Sequence, residues 1–538
     1  MRSLSGAMDR TGNVQPLRPP RLASVLYQAG LQLSQGWSVE GERRACSMAD
    51  TDFITTHELW DEERRDSAAR IPAELESIEF VRVVVADLHG LARSKTFTRR
   101  AFLRVLRDGA RFSSSVFLLD TGGNVAIDYL DEGAGVEIEE LRGAGNFVAV
   151  PDPLTFRVLP WTCRPCGWVI ADEYLRSGAP HPLSPRKLLQ ALQCEVARRG
   201  WRHNVGLELE WHLTRYAHPF GSGEMEPGHE SAPPTVVAVD NARQLNLEGL
   251  TDALATVLDP LTSALLQLGL PLRTIEHESG PGQLEFTFDA MDGLDAADAA
   301  MLVRVAAKQV CQRLGHHATF MALPKFEGLN ANGWHLHQSL GLPGGTSLFQ
   351  PDEPSEPLSE IGRRFVAGLL RYAAEGTIFA TPTINGYRRF DDRFPFAPTR
   401  VNWSTEHRGA LVRVAGGADD PETHVESRLG EPCANPYLYL SSQLSAGLAG
   451  IDAGLDPGEA LRASPVDDAP RLPRSLRAAL DAFVKGEHYT QLLGSSLTAC
   501  WTQVKMNELR RFEAWRSKHG DTETDVSDWE HLEYFQRF

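Results

Sequence analysis

The sequence predicts an α+β protein, and three observations carry that expectation. A β-branched run, Phe80-Val81-Arg82-Val83-Val84-Val85-Ala86, interrupts a polar beginning and turns back at His89-Gly90. Ser184 followed by Pro185 has the form of a helix cap with proline in the first turn, and marks a second boundary. Beyond it, short strands that alternate apolar and polar residues are interleaved with long segments of helical period.

Taken in order, residues 1–75 read as a polar leader, partly disordered with some helix, with Pro16, Pro19 and Pro20 early and a plausible alternative start at Met48. Residues 76–173 form a small α+β unit: the hairpin just described, a helix over about 100–108, and strands around 145–150 and 156–159. Residues 180–538 form a larger domain. Its first helix repeats Leu188, Leu189, Leu192 and Val196 at helical spacing, and strands are expected at 205–213, 274–278, 283–288, 319–322, 333–340 and 410–414. Amphipathic helices are expected at 247–268, 292–314 and 358–376, and the Pro-, Gly- and Glu-rich stretch 217–243 reads as a surface insertion.

Composition narrows the function. The chain has 538 residues, with 54 Lys and Arg against 71 Asp and Glu and a net charge of −17, which disfavours broad binding to a nucleic-acid backbone. Seven cysteines, an odd number spread over a long chain, suit reduced thiols in a cytoplasmic protein, and Cys163 and Cys166 lack the second pair of a metal knuckle. No stretch approaches the ~20 apolar residues needed to span a bilayer, so no membrane partner is expected.

Four groups of residues can carry chemistry. On a strand, Glu208 and Glu210 point to one face while Val205, Leu207, Leu209 and Trp211 make the other apolar. The Gly280-Pro281-Gly282 turn returns two strands side by side and brings Glu278 towards Glu285. His335 and His337 share a strand face in Asn330-Ala331-Asn332-Gly333-Trp334-His335-Leu336-His337-Gln338-Ser339. A basic series, Arg388, Arg389, Arg393, Arg408, Arg413 and Arg428, suits anion recognition through guanidinium forks, with Arg388 and Arg393 equally readable as solvated surface residues. Several glutamates with a histidine make oxygen-rich sites for two Mg²⁺ or Mn²⁺ ions, and arginines stabilise a phosphoryl group in transit. Phosphoryl transfer from ATP to a carboxylate is the chemistry that uses the whole set, and no P-loop or kinase signature supplies a rival nucleotide site.

The ordered motifs GLELEW, ESGPGQLEF, TFMALPKFEGLNANGWHLHQS, NGYRR with APTRVNWSTEHRGALVRV, and HVESRLGEPCANPYLYLSSQLSAGLAGI resemble the type I glutamine synthetase superfamily from Ile78 to the C-terminus. The resemblance implies an N-terminal β-grasp domain, a catalytic domain whose curved antiparallel sheet forms a metal-lined funnel, and a hexameric or dodecameric ring in which a neighbour's β-grasp domain completes each site. It assigns Glu210, Glu278 and Glu285 to a first metal, and Glu208, His335 and Glu426 to a second. Asn330 and Arg389 match residues that grip L-glutamate. Arg408, Arg413 and Arg428 match those that stabilise the phosphoryl group, Arg413 also standing on the nucleotide side with His337 and Ser339.

The departures concern the nucleophile. Where glutamine synthetase proper has an Asp in Phe-Asp-Gly-Ser-Ser and a Glu before Ala-Pro, this chain has Arg111-Phe112-Ser113-Ser114-Ser115 and Phe394-Pro395-Phe396-Ala397-Pro398. Ammonium needs anionic partners to bind and lose a proton, so their replacement favours an organic amine. An aromatic residue before Ala-Pro looks like the γ-glutamyl-amine ligase branch, whose members act on polyamines, ethanolamine, isopropylamine or anilines. Phe112, Trp334 and Phe396 would floor an aromatic or short aliphatic amine, whereas Asp391 and Asp392 would attract a polyamine, and the reading leans to the former. Ala331 replaces a glycine near the glutamate, His424 replaces an arginine near the nucleotide, and the absence of Tyr over 452–470 makes regulatory adenylylation unexpected. The alternatives are a glutamine synthetase using ammonia and a non-catalytic ring protein.

Overall fold

The β-branched run forms β1 (Phe80–Ala86), which pairs antiparallel with β2 (Ala92–Thr98) through the expected turn. The structure is a computed structural model and describes residues 52–129, 142–218, 233–461, 469–520 and 525–538. With β3 (Ala110–Ser113), β4 (Asn146–Pro151), β5 (Arg157–Val158) and β6 (Cys166–Tyr174), the hairpin makes a six-stranded mixed sheet in the order β2-β1-β6-β4-β3, β5 pairing with β6. The helix Arg99–Asp108 buries Phe102 and Val105 and is capped by the Thr98 hydroxyl. Strand β6, buried along its whole length, has no alternating pattern, which is why the sequence does not reveal it.

Residues 53–77, within the stretch read from sequence as leader, form helices Phe53–Thr56 and Glu62–Glu74 and a final 3₁₀ turn. Ile54 and Trp60 pack on Val148, Val150 and Tyr174, and the Trp60 indole donates to the Pro151 carbonyl at 3.0 Å. The first 51 residues, with Met48, lie outside the described residues.

The larger sheet has nine strands: β7 (Arg202–Tyr216), β8 (Val236–Ala238), β9 (Leu272–His277), β10 (Gln283–Asp292), β11 (His316–Thr319), β12 (Trp334–Gly341), β13 (Trp403–Ser404), β14 (Val412–Ala415) and β15 (His424–Gly430). Their order is β13-β14-β15-β12-β7-β10-β9, with β8 and β11 also pairing with β7, and all neighbours except β13 and β14 are antiparallel. Most of the predicted insertion lies outside the described residues, and its end returns as β8.

Three elements differ from expectation for physical reasons. The strand expected at 319–322 lies at His316–Thr319, because the chain then leaves the sheet with its backbone satisfied by asparagines: Met321 O accepts from Asn332 Nδ2 at 2.9 Å and Leu323 N donates to Asn385 Oδ1 at 2.8 Å. The helix expected at 247–268 is broken at Leu254 into Glu248–Ala253 and Ala255–Gln267. That expected at 358–376 is two helices, Glu360–Arg371 and Ala373–Ala380, broken at Tyr372, whose ring stacks on His488 at 4.1 Å.

An ion cluster joins the two sheets. Arg186, at the start of helix Pro185–Arg198, is fully buried and reaches Asp298 on helix Gly293–Arg313 (2.7 and 3.0 Å), Asp152 after β4 (3.0 Å) and Asp172 on β6. The described cysteines are all free, with Cys163 exposed and Cys166 buried. Among the described residues no helix is long and apolar enough to cross a membrane.

Candidate active site

Register gathers the acids. Strand β7 is flanked by β10 and β12, which set Glu285 opposite Glu210 and His335 opposite Glu208. One strand further, His337 lies opposite Glu426 on β15, and Glu426 opposite Arg413 on β14. Because side chains alternate, all of these project from one face of the sheet. The hairpin between β9 and β10 adds Glu278: Glu278 N donates to Gln283 O at 2.9 Å, and Gly282 turns the chain at φ 63°, a left-handed conformation suited to glycine.

Metal-capable atoms of Glu208, Glu285 and His335 lie within 4.8 Å of one another, as do those of Glu208, His337 and Glu426. Glu208 and His335 form the centre: Glu208 accepts from the His335 Nδ1 edge and approaches His337 Nε2 at 2.9 Å, and His335 Nδ1 is 3.6 Å from Glu426. The two ends of the cluster differ electrically. Burial raises the Glu210 carboxyl to about 8, with Glu278 adding to the rise, and burial with the charges of Glu208, Glu210 and Glu278 pushes Glu285 up to about 10. Glu278 is shifted upward by burial and by the charges of Glu276 and Glu208. At the other end burial opposes ionisation of Glu208 and Glu426, but His335 with His337 holds Glu208 well below its ordinary value, and His335 with Arg428 lowers Glu426. Carboxylates that repel one another in a buried cleft call for positive charge, and an oxygen-rich set with imidazole at one side fits hard divalent cations.

The arginines fall into two classes. Arg413 and the buried Arg428 both bond Glu426, so their guanidinium groups stand at the Glu426 end of the cluster. Arg408 is exposed at the rim, close enough to Glu278 for its charge to act on that carboxyl. Arg389 is buried in the turn Asn385–Phe390, donates to the Leu429 carbonyl at 2.9 Å, and faces Glu210. Arg388 is held away from solvent by buried Glu530 at 3.0 Å, whereas Arg393 is a surface arginine, 54% exposed, that pairs with Asp391 at 2.9 Å. Asn330 is tied to the hairpin through Ser279 Oγ at 2.8 Å, and Ser339 is buried one step along the strand face beyond His337.

The expected aromatic floor is corrected. Trp334 is fully buried with its ring edge-on to Tyr439 at 5.2 Å, because alternation sends it to the face opposite His335. Phe112 is also buried, stacked on Phe147 at 5.8 Å in the small sheet. Only Phe396 of the three is exposed, at 63%. Its loop lies beside the rim, since a Cβ at Gly409, next to Arg408, would come 3.2 Å from the Pro395 carbonyl.

Two residues escape sequence reasoning. Gln283 is buried, and its amide donates to Glu210 Oε2 at 3.0 Å and Asn332 Oδ1 at 3.1 Å, fixing the carboxylate. Its only sequence signal is a polar residue directly after the Gly-Pro-Gly turn. At Gly333 an added Cβ would lie 2.9 Å from His335 Nε2, 3.1 Å from Glu210 Oε1 and 3.3 Å from Arg389 Nη2. Gly333→Ala should therefore displace these groups and lower kcat/KM by ~10-fold or more with little change in melting temperature, and equal rates would show that the cleft yields freely.

The sequence matches the glutamine synthetase catalytic domain over residues 182–531. The chain belongs to the glutamine synthetase family. It is 38% identical over 498 residues to the gamma-glutamylanilide synthase of Acinetobacter sp., covering 90% of this chain and 98% of that protein. The glutamine synthetase of Methanosarcina mazei is 30% identical over 376 residues, covering 68% of this chain and 80% of the relative. Among solved structures, a GmaS/ADP complex superposes with a TM-score of 0.68 at 27% identity, covering 84% of this chain and 98% of the other. As a member of this family the protein is a ligase-type enzyme, and it shares more identity with the gamma-glutamylanilide synthase than with the Methanosarcina glutamine synthetase.

Proposed function

We propose that the protein is an ATP-dependent ligase that joins the γ-carboxylate of L-glutamate to a primary organic amine through γ-glutamyl phosphate, giving a γ-glutamylamide, ADP and phosphate. The observation that carries it is the single sheet face on which Glu208, Glu210, Glu285, His335 and Glu426 meet beside Arg413 and Arg428, with Glu278 on the adjoining hairpin close enough for its charge to act on Glu210. Two Mg²⁺ or Mn²⁺ ions held there would neutralise phosphate oxygens and polarise the phosphoryl group. On this reading Asn330 and Arg389 hold glutamate, His337 and Ser339 face the nucleotide, and Arg408, Arg413 and Arg428 stabilise the transferring phosphoryl group. The small mixed sheet is read as the family's β-grasp domain, lent to the site of a neighbour in a hexameric or dodecameric ring, in a cytoplasmic enzyme.

The amine rather than ammonia is favoured by the absence of an acid at 111–115 and 394–398, and by the name of the Acinetobacter relative. Asp391, one of the two acids expected to attract a polyamine, is instead engaged by Arg393, while exposed Phe396 offers an apolar face near the rim. Purified protein with ATP, glutamate, Mg²⁺ and a panel of amines should release phosphate fastest with an aromatic or short aliphatic amine, and preference for ammonia would refute the reading. Phe396→Glu should shift the preference towards ammonia, and an unchanged amine profile would remove Phe396 from the nucleophile's path.

A further inference from the structure

We infer that Glu530 is a positioning residue for glutamate binding, resting on the reading of Arg389 as a glutamate contact: through Arg388, Glu530 sets the direction of Arg389. The turn Asn385–Phe390, which carries both arginines, belongs to neither sheet and is held by side chains from elsewhere. Its approach is fixed by Lys505, which donates to the Pro382 carbonyl at 2.8 Å, and by the Tyr534 hydroxyl, which accepts from Ile384 N at 3.2 Å. Both side chains are buried, and both bond Glu508. Buried Glu530, on the helix Asp528–Tyr534, takes hold of the turn itself. Its Oε1 accepts from Asn385 Nδ2 at 3.2 Å and from Arg388 Nε at 3.0 Å, and its Oε2 accepts from Arg388 Nη2, also at 3.0 Å. The carboxylate is pinned in turn, because Oε2 accepts from Ser527 N at 2.9 Å and Ser527 Oγ at 2.8 Å in a capping box.

A guanidinium bonded through two nitrogens to one carboxylate is fixed in rotation as well as in position. In a 3₁₀ turn successive side chains lie ~120° apart, so holding Arg388 on the helix side determines which way Arg389 leaves the backbone. Arg389 leaves towards β15 and the cleft. It donates to the carbonyls of Leu429 at 2.9 Å and Arg428 at 3.3 Å, and its Nη2 stands across Gly333 from Glu210 Oε1. Glu530 thus lies outside the acidic cluster yet decides the aim of a cation inside the cleft. Glu533, on the same helix, reaches a different segment: it accepts from Thr121 Oγ1 and from Arg511, which also holds Asp120. Two acids of one helix therefore serve different loops, and Glu533 is the internal control for Glu530.

The test is calorimetric titration of the full chain with L-glutamate in the presence of Mg²⁺ and a non-hydrolysable ATP analogue, and with the analogue alone. Glu530→Gln and Arg388→Gln should each weaken glutamate binding by ~10-fold while changing analogue binding by less than ~2-fold, and the double substitution should cost no more than either alone, since all three remove one contact. Glu533→Gln should leave glutamate affinity within ~2-fold. An equal loss for glutamate and analogue in Glu530→Gln, or as large a loss of glutamate binding in Glu533→Gln, would make the helix a general support and overturn the inference. Hydrogen exchange on the unsubstituted protein decides the matter without any variant having to fold. Bound glutamate should slow exchange in residues 384–390 and in the helix Asp528–Tyr534 together, because an element that positions a binding residue is itself held by the bound ligand. Glutamate binding without slowing in the helix overturns this inference alone, whereas no calorimetric binding of glutamate refutes the reading of Arg389 and the inference with it.

Discussion

Glu285→Gln is expected to abolish most ligase activity, by ~100-fold or more, while leaving the metal-free protein as stable as before or more so. The two effects have one cause. Glu285 is raised to about 10 by burial and by Glu208, Glu210 and Glu278, so a neutral amide of the same shape suits the metal-free cleft, but it cannot supply the charge that a divalent ion needs. Outer partners of a metal already cost 10–100-fold when removed, and a direct ligand costs at least ~100-fold. Thermal unfolding with and without Mg²⁺ checks it: the unsubstituted protein should gain ~2.7 kcal/mol at an ion concentration 100 times Kd, and the variant should gain much less. A variant that keeps its Mg²⁺ response would exclude Glu285 from the metal set.

The sign of the pH dependence follows. A carboxyl whose folded pKa lies above its unfolded value of 4.5 contributes stability that is fully present below 4.5 and is lost as pH rises through the folded value. Glu210 and Glu285 should thus make the chelated protein progressively less stable from about 4.5 up to about 8 and 10, a slope that Glu285→Gln reduces and bound divalent ion suppresses.

Arg186→Met should give the largest stability loss, ~3–5 kcal/mol. The guanidinium is fully buried and satisfies Asp152, Asp172 and Asp298 together. Its removal leaves Asp298 with no cation among the described residues, and Asp152 and Asp172 with only the longer contacts to Arg64 at 3.2 Å and Lys187 at 3.4 Å. Arg186→Lys should rescue little, since one ammonium cannot reproduce a fork that bonds Asp298 through two nitrogens while also reaching Asp152 and Asp172. Because Asp172 lies on β6 and Asp152 directly follows β4 in the small sheet, while Asp298 is on a helix packed against the large sheet, unfolding of the variant should begin with separation of these parts. Hydrogen exchange would detect this as early loss of protection in β4 and β6, and a melting temperature within a degree of the unsubstituted protein would refute it.

How far the site is legible in sequence depends on the range of the information. Alternation on a strand is local, so it places Glu208 with Glu210 and His335 with His337 without any knowledge of the fold. The same rule puts Trp334 on the far face, so counting it with Phe112 and Phe396 as the floor of the amine site is what fails. Helix Pro436–Asp452 is legible only as part of a family motif, because it is buried almost all round and shows no amphipathic period. Gln283 and Gly333 act through contacts with residues far along the chain, which no local pattern announces.

By itself the sequence determined the chemical inventory: five glutamates, two histidines and a set of arginines at spacings that a glutamine synthetase catalytic domain uses, and no acid where ammonium would need one. The tertiary structure decided how they meet. Strand register is set by packing of the buried faces and not by neighbours in sequence, so only the paired strands show Glu285 against Glu210, His335 against Glu208, and Glu426 against both His337 and Arg413. Burial, likewise a property of the whole fold, then separates chemically identical carboxyls, raising Glu210, Glu278 and Glu285 while the imidazoles keep Glu208 ionised.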